Sequence, residues 1–149
     1  MVTGAGGYIG SIASYLFLQK GYQVVVVDNY ATGYRQPLQL LQKKYGAEKL
    51  RIYELNLQDD LKDLFAKEQD IEAVVHYAAS CIVDESMSKP EKYFKNNLLT
   101  TLNLLKAMAN NKIKNLVFSS TAAVYGEAKK IPVDENHPTE PVNVYGESK

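Results

Sequence analysis

The chain is predicted to fold as an α/β domain with a doubly wound, all-parallel sheet. Three observations predict it. Short apolar, strand-like runs alternate with helical patterns along the whole length. The first run breaks at once into Thr3-Gly4-Ala5-Gly6-Gly7-Tyr8-Ile9-Gly10, whose glycines at 4, 7 and 10 are spaced G-x-x-G-x-x-G. The second run ends in an acid, Asp28. A strand, a glycine turn that opens a helix, and an acid at the next strand's tip make the βαβ unit that dinucleotide binding requires.

In the glycine turn, each position has its own reason. Gly4 allows the sharp exit from the strand, Gly7 removes a Cβ where a pyrophosphate approaches, and Gly10 lets the helix pack closely. Amides of the first helical turn, at Tyr8 and Ile9, then point at the phosphates. The helix shows Ile12, Ala13, Tyr15, Leu16 and Leu18 and stops at Gly21. A strand over 23–27 delivers Asp28, whose carboxylate can accept hydrogen bonds from the adenosine ribose hydroxyls. Arg35 is the nearest basic residue after it, so the site favours NAD over NADP.

Asn29-Tyr30-Ala31-Thr32-Gly33 is a turn-rich loop. A helix follows over 35–45, with Leu38, Leu41 and Tyr45 on one face and Gly46 as its stop. Residues 50–55 alternate as a strand, Leu50 and Ile52 against Arg51, Tyr53 and Leu55. After a loop at 56–60, a helix over 61–68 presents Leu61, Leu64 and Phe65. Residues 73–77 form the fourth strand, and the stretch with Asp84, Glu85 and Ser86 reads as a loop. Pro90 takes a first helical position. The long helix it opens runs to about 110, with Phe94, Leu98, Leu102, Leu105 and Met108 as its apolar stripe and its other face open to an interface. Residues 115–118 form the fifth strand, ending in Ser119-Ser120-Thr121. The stretch 126–144 holds Pro132, Pro138 and Pro141 and reads as a loop leading to Tyr145-Gly146-Glu147-Ser148-Lys149.

This order predicts a Rossmann-like sheet with strands in the order 3-2-1-4-5. Ligands of such sheets bind beyond the carboxyl ends of the strands, where Gly4 to Gly10, Asp28, Asn56, Tyr77 to Cys81 and Thr121 all fall. The 149 residues make one domain, a dinucleotide-binding domain over 1–149. Its first strand has at most three residues before Gly4, and its last residues lie inside a helical pattern. The expectation is a domain truncated at both ends; that a carboxyl-terminal substrate domain is absent is what the family resemblance given below implies. Seventeen basic and seventeen acidic residues cancel, which disfavours nucleic acid or an anionic membrane as a partner. The apolar runs are of strand length, not membrane-spanning length. A lone Cys81 forms no internal disulfide and suits a reducing compartment, with the cytoplasm as the default.

Tyr145 and Lys149 are the pair able to do chemistry, since i, i+4 spacing puts them on one helix face. An ammonium beside a phenol favours the phenolate, a usable base. The Tyr-x-x-x-Lys pattern occurs three times, also as Tyr45/Lys49 and Tyr125/Lys129. Tyr45 leads into a strand's amino end, the wrong edge of the sheet. Tyr125 lies at the right edge, but Gly126 and Pro132 oppose a stable helix there. Thr121, at the tip of the fifth strand, can hydrogen-bond the same substrate oxygen as Tyr145. His76 ends a strand in an apolar setting and reads as a satisfied buried histidine, and Cys81 is assigned no chemistry. No His or Cys spacing suits a metal.

These motifs, with Asp28-Asn29, His76-Tyr77-Ala78-Ala79, Val83-Asp84-Glu85-Ser86, Pro90, Tyr93, Asn96, Asn97 and the run Phe118 to Gly126, resemble the extended short-chain dehydrogenase/reductases acting on nucleotide sugars. Within that family the likeness is to the members that invert C4 of a UDP-hexose. The resemblance implies a tightly held NAD, reversible oxidation at C4 that interconverts UDP-glucose and UDP-galactose, and a homodimer for the full-length protein. By it, Tyr145 takes the 4-hydroxyl proton, Lys149 assists and holds the nicotinamide ribose, and Thr121 orients the hydroxyl. Gly4, Gly7, Tyr8, Ile9, Gly10, Asp28, Asn29, Tyr30, Ala31, Thr32, Gly33, Asn56, Leu57, Tyr77, Ala78, Ala79, Ser80, Cys81 and Asn96 match cofactor-contacting positions, as do the three catalytic residues.

There are departures from the pattern. Asn56 stands where an Asp is usual, Cys81 where some members have a lysine, and Asp84 where glycine is usual. In the family's 4,6-dehydratases an Asp-Glu pair follows the Thr, and here the pair is Ala122-Ala123. Other nucleotide-sugar epimerases, and an NAD-binding domain without turnover in this chain, stay open as alternatives.

Overall fold

The computed structural model describes residues 1–149. The chain divides into two compact units, residues Met1–Ala78 with Leu102–Ser119, and Ala79–Thr101 with Ser120–Lys149.

The first unit holds the sheet. Its strands are β1 (Val2–Thr3), β2 (Val24–Asp28), β3 (Leu50–Glu54), β4 (Ala73–His76) and β5 (Asn115–Phe118). All pair in parallel in the order β3-β2-β1-β4-β5, as predicted. In β2 the four valines 24–27 are all buried, yet they split between two cores. Val25 and Val27 join Leu57, Leu61, Leu64, Phe65, Val74 and Leu104 on one face. Val24 and Val26 join Val2, Ala5, Leu18, Leu38 and Leu50 on the other. A strand covered on both faces has no polar side to show, which is why it reads as a continuous apolar run. The register Val2↔Val26 and Val2↔Val75 puts two-residue β1 at the centre, bonded on both sides.

Helices α1 (Tyr8–Gln19), α2 (Gln36–Tyr45) and α3 (Lys62–Lys67) fall within one or two residues of their predicted places. On α1, however, the buried positions are Gly10, Ser14 and Leu18, while Ile12 and Leu16 stay exposed. Small residues are required on that face because α1 lies directly on the loop that precedes it.

Two expectations are corrected, the first in the second unit and the second along a helix that begins there and ends in the first. The Asp84–Ser86 stretch is not a loop but helix α4 (Val83–Ser88). No apolar period announces it, since Ile82, Val83 and Met87 are exposed. Hydrogen bonds hold it instead. The Tyr93 hydroxyl accepts from Ile82 N (3.1 Å) and sits 3.0 Å from Glu85 Oε2, and Glu85 pairs with Lys89 (3.1 Å) and Lys92 (2.7 Å).

The long helix from Pro90 exists as α5 (Pro90–Tyr93), a π-helical turn (Phe94–Leu98) and α6 (Leu99–Asn110). Its predicted stripe is wrong except at Met108. Leu98, Leu102 and Leu105 are exposed and Phe94 is half-buried, while Tyr93, Asn97, Thr100, Leu104 and Met108 are buried. The π turn adds a residue to one turn and shifts the buried face along the chain. Polar Asn97 and Thr100 then take core positions because their side chains find backbone partners there. A single 3₁₀ turn (Ala122–Tyr125) and helix α7 (Val144–Glu147) complete the unit. No helix is long and apolar enough to cross a membrane.

Candidate functional site

In the first unit the glycine turn is crowded where the sequence says it should be. Gly4 has φ +69°, and a Cβ there would stand 2.5 Å from the Ala78 backbone nitrogen. A Cβ on Gly10 would stand 2.2 Å from the Gly4 carbonyl oxygen. Both conflicts are with backbone, which cannot swing away. The first bond of α1 is Ser11 N to Gly7 O (3.0 Å), so the preceding amides have no acceptor within the helix. No side chain caps this end and no acid lies in its first turn. These donors suit a phosphate.

Asp28 lies beside that turn. Its Oδ2 accepts from Gly6 N (2.8 Å) and its Oδ1 from Tyr30 N (2.7 Å). The carboxylate therefore braces the loop and retains lone pairs for ribose hydroxyls. Asn29 Oδ1 accepts from Ala31 N (3.0 Å), and Tyr34 N donates to Gly6 O (2.9 Å), folding Asn29 to Gly33 against the glycine turn. Burial raises the Tyr30 phenol above its usual value, with Asp28 and Glu54 adding to the shift.

Asn56 follows β3, where Leu55 N bonds Asp28 O (3.1 Å). Its Oδ1 already accepts from Gln58 N (3.0 Å), leaving one lone pair for an adenine amino group. Leu57 points its side chain into the core, and its carbonyl accepts from Asn103 (2.8 Å), so it can meet a ligand only through its amide. Tyr77 and Ala78 continue β4 past Gly4. His76 is buried as expected, with Nδ1 2.6 Å from Thr3 Oγ1. Tyr8 and Ile9 are exposed beside the turn.

The second unit carries the predicted chemistry. Asn143 caps α7 by accepting from Gly146 N (2.7 Å). Gly146 lets α7 press on the 3₁₀ turn, since a Cβ there would stand 2.6 Å from Ala123 O. Tyr145 is gripped by its backbone at both ends. Its N–H donates to Ser86 Oγ (3.1 Å), and its carbonyl accepts from Ser148 Oγ (2.9 Å). Thr121 caps the 3₁₀ turn by accepting from Ala123 N (3.2 Å), which leaves its O–H to donate. Lys149 follows α7 and its C-cap Ser148, so α7 itself carries only Tyr145 of the pair. Burial lowers the Lys149 ammonium below its usual value, and charge on Cys81 works against that shift. Cys81 is exposed.

Of the rival tyrosines, one lies in the first unit and one ends the 3₁₀ turn of the second. Tyr45 ends α2. Tyr125 stacks edge-on with His137, and Lys129 pairs with Glu140 at 2.7 Å.

Asn97, quoted in the motif but given no role, is the residue sequence reasoning missed. It is buried; its Oδ1 accepts from Ser80 N (2.8 Å), and its Nδ2 donates to Ser80 O (3.0 Å) and Ser148 Oγ (2.8 Å). Asn96 beside it donates to Ser80 Oγ at 3.2 Å. The signal available was a pair of adjacent asparagines within the helical run 90–110, where a buried amide side chain needs hydrogen-bond partners.

The first unit sets open helix amides at a glycine turn beside an acid at the β2 tip, an arrangement shared by dinucleotide-binding α/β folds. The chain belongs to the protein family described as GDP-mannose 4,6 dehydratase, which it matches over residues 1–149. Its similarity runs to 4-epimerases. It is 45% identical over 148 residues to a UDP-glucose 4-epimerase of Lacticaseibacillus casei, a match covering 99% of this chain and 43% of that protein. The solved UDP-Glc/GlcNAc 4-epimerase of Campylobacter jejuni superposes with a TM-score of 0.93 at 37% identity, over 99% of this chain and 44% of the other. The UDP-glucose 4-epimerase of Bifidobacterium longum, solved with NAD+ and UDP, superposes at 0.92 with 38% identity over the same shares. The chain thus spans less than half the length of the relatives it matches.

Proposed function

We propose that the intact protein is an NAD-dependent UDP-glucose 4-epimerase that interconverts UDP-glucose and UDP-galactose. Bound NAD would supply a reversible hydride acceptor for C4 of the sugar, and the glycine turn and Asp28 would hold it. This chain's residues hold the cofactor and move the proton. The α1 amides and glycine turn bind the pyrophosphate, and Asp28 binds the adenosine ribose. The Tyr145 hydroxyl oxygen removes the proton from the 4-hydroxyl and later gives it back. Lys149 holds the nicotinamide ribose, and the free Thr121 O–H orients the sugar oxygen.

One observation carries the choice between epimerase and dehydratase. Loss of water needs an acid and a base beside the Thr, and the 3₁₀ turn places Ala122 and Ala123 there. Whole-chain similarity to 4-epimerases supports the same choice. The intact protein is further proposed to be a homodimer, with exposed Leu98, Leu102 and Leu105, spaced i, i+4, i+7, seated against a second copy. It is proposed to act in the cytoplasm, where the exposed Cys81 thiol stays reduced. The 149 residues alone are proposed to be the dinucleotide-binding domain and to turn nothing over, because the resemblance puts most UDP-sugar contacts outside them.

The test is steady-state epimerisation of UDP-galactose by the intact protein, with bound NAD quantified. Tyr145→Phe is expected to lower turnover at least a hundredfold, within the ~10²–10⁴ of a general base, while retaining NAD. Tyr45→Phe and Tyr125→Phe are expected to stay within about tenfold of wild type. An inactive Tyr125→Phe beside an active Tyr145→Phe would move the base to Tyr125. Full activity in all three would show that none of these tyrosines is the base, and an intact protein that does not epimerise UDP-galactose would reject the epimerase reading.

A further inference from the structure

The loop after Asp28 ends in a basic side chain, Arg35, that has no part in the proposed reaction. Tyr30 adopts a left-handed φ of +54° and gives its N–H to Asp28. The Arg35 guanidinium lies over the Tyr30 ring, 4.5 Å from its centroid. It donates to both carboxylate oxygens of Glu54, with Nε 3.0 Å from Oε2 and Nη2 bonded to Oε1. Glu54 is the last residue of β3 and pairs in register with Asp28. Two carboxylates and one guanidinium thus surround Tyr30 at the tips of neighbouring strands.

That arrangement bears on what the site can accept. A 2′-phosphate on the adenosine ribose brings negative charge to the place Asp28 occupies, and sites that tolerate it supply an arginine. Arg35 is the arginine within reach. Bound fork to fork by a carboxylate, it has its best-directed donors occupied and its charge offset. The ion pair is about half exposed on both sides, 52% and 53%, so it adds little to the stability of the fold. Its consequence is where Arg35 is held.

We propose that Glu54 reinforces the NAD preference of the Asp28 site by holding Arg35 on the Tyr30 ring and away from the ribose 2′ position, so that no guanidinium is available to a 2′-phosphate. Glu54 acts through Arg35 and is a positioning residue. The proposal rests on the reading of Asp28 as part of an NAD site.

The experiment is calorimetric titration of the intact protein with NAD and with NADP. Wild type is expected to prefer NAD by at least about tenfold. Glu54→Gln keeps the size of the side chain and removes its charge; it is expected to tighten NADP about tenfold and leave NAD within about threefold. Glu54→Gln combined with Arg35→Met is expected to return NADP to within about threefold of wild type. Arg35→Met alone is expected to leave NADP unchanged, because the tethered arginine contributes nothing to it.

An unchanged NADP affinity in Glu54→Gln overturns the proposal. So does a gain that survives loss of Arg35, which assigns the effect to the Glu54 charge itself. A large loss of NADP binding in Arg35→Met alone also overturns it, since Arg35 would already reach the phosphate. Wild type that binds no NAD rejects the cofactor reading, and the proposal with it; wild type that binds NAD normally while Glu54→Gln changes nothing rejects the proposal alone.

Discussion

The two compact units differ in what dominates their interiors. In the first, the interior is apolar on both faces of the sheet, with Phe65, Leu38, Leu50, Leu104 and the β2 valines fully covered. In the second, Tyr93 is the one large buried hydrophobic, and Ser86, Asn97, Thr100 and Ser148 are buried around it. No buried side-chain polar atom lacks a hydrogen-bond partner. Apolar contact is strong but non-directional, and it suits a sheet that has only to be stable. Hydrogen bonds add less net stability and more direction. They suit a unit that must place Tyr145, whose backbone is bonded to Ser86 and Ser148.

The comparison is broken most directly at Phe65. Phe65→Ala is expected to cost about 3–5 kcal/mol, a large part of a small domain's stability, read from urea unfolding followed by circular dichroism. A cost under about 1 kcal/mol would mean that the apolar face is not what holds the sheet.

Asn97→Leu is the matching test of the second unit. It conserves volume and strands Ser80 N, Ser80 O and Ser148 Oγ, and is expected to cost about 2–3 kcal/mol. Hydrogen exchange at the Ser80 amide should quicken along with it. Unchanged stability and exchange would show that shape, not polarity, organises this unit.

A smaller, pH-dependent effect follows from Glu85. Its hydrogen bonds to Lys92, Lys89 and Tyr93 lower its carboxyl from an ordinary 4.5 to about 2. The folded form binds this proton less readily than the unfolded form. The stabilisation is therefore present above pH 4.5 and is lost as pH falls towards about 2. Glu85→Gln should flatten the stability profile across that window. A variant that parallels wild type from pH 5 to pH 2 would assign the acid sensitivity to other carboxylates.

The smallest change is expected at Ser14, whose hydroxyl bonds Gly10 O (2.8 Å) within its own helix. Ser14→Ala loses a bond worth about 0.5–1.5 kcal/mol and gains about 0.5 kcal/mol of helix propensity. The thermal midpoint should therefore fall by only a few degrees. A large drop would make that hydroxyl part of the support of the glycine turn.

The residues themselves determined the first unit almost completely. Alternating apolar runs, glycine stops and the Asp28 tip located all five strands and their order, because burial on two faces leaves a local signature in each strand. They also indicated Gly4 and Gly10, whose requirement for glycine is set by backbone only a few residues or one strand away. What only the tertiary structure decided lies where the partner is distant in sequence or the buried group is polar. Helix α4 was hidden because its contacts are hydrogen bonds to Tyr93 and beyond. The face of α6 was misplaced because Leu102, Leu104 and Leu105 are equally apolar, and the π turn before them breaks the period counted from Tyr93. The role of Asn97 depends on Ser80, 17 residues away, and Ser148, 51 away. Leu98, Leu102 and Leu105 look like core in any helical count, yet they face outward. A leucine's hydrophobicity is a property of the residue, whereas the surface it covers is chosen only when the other elements have packed.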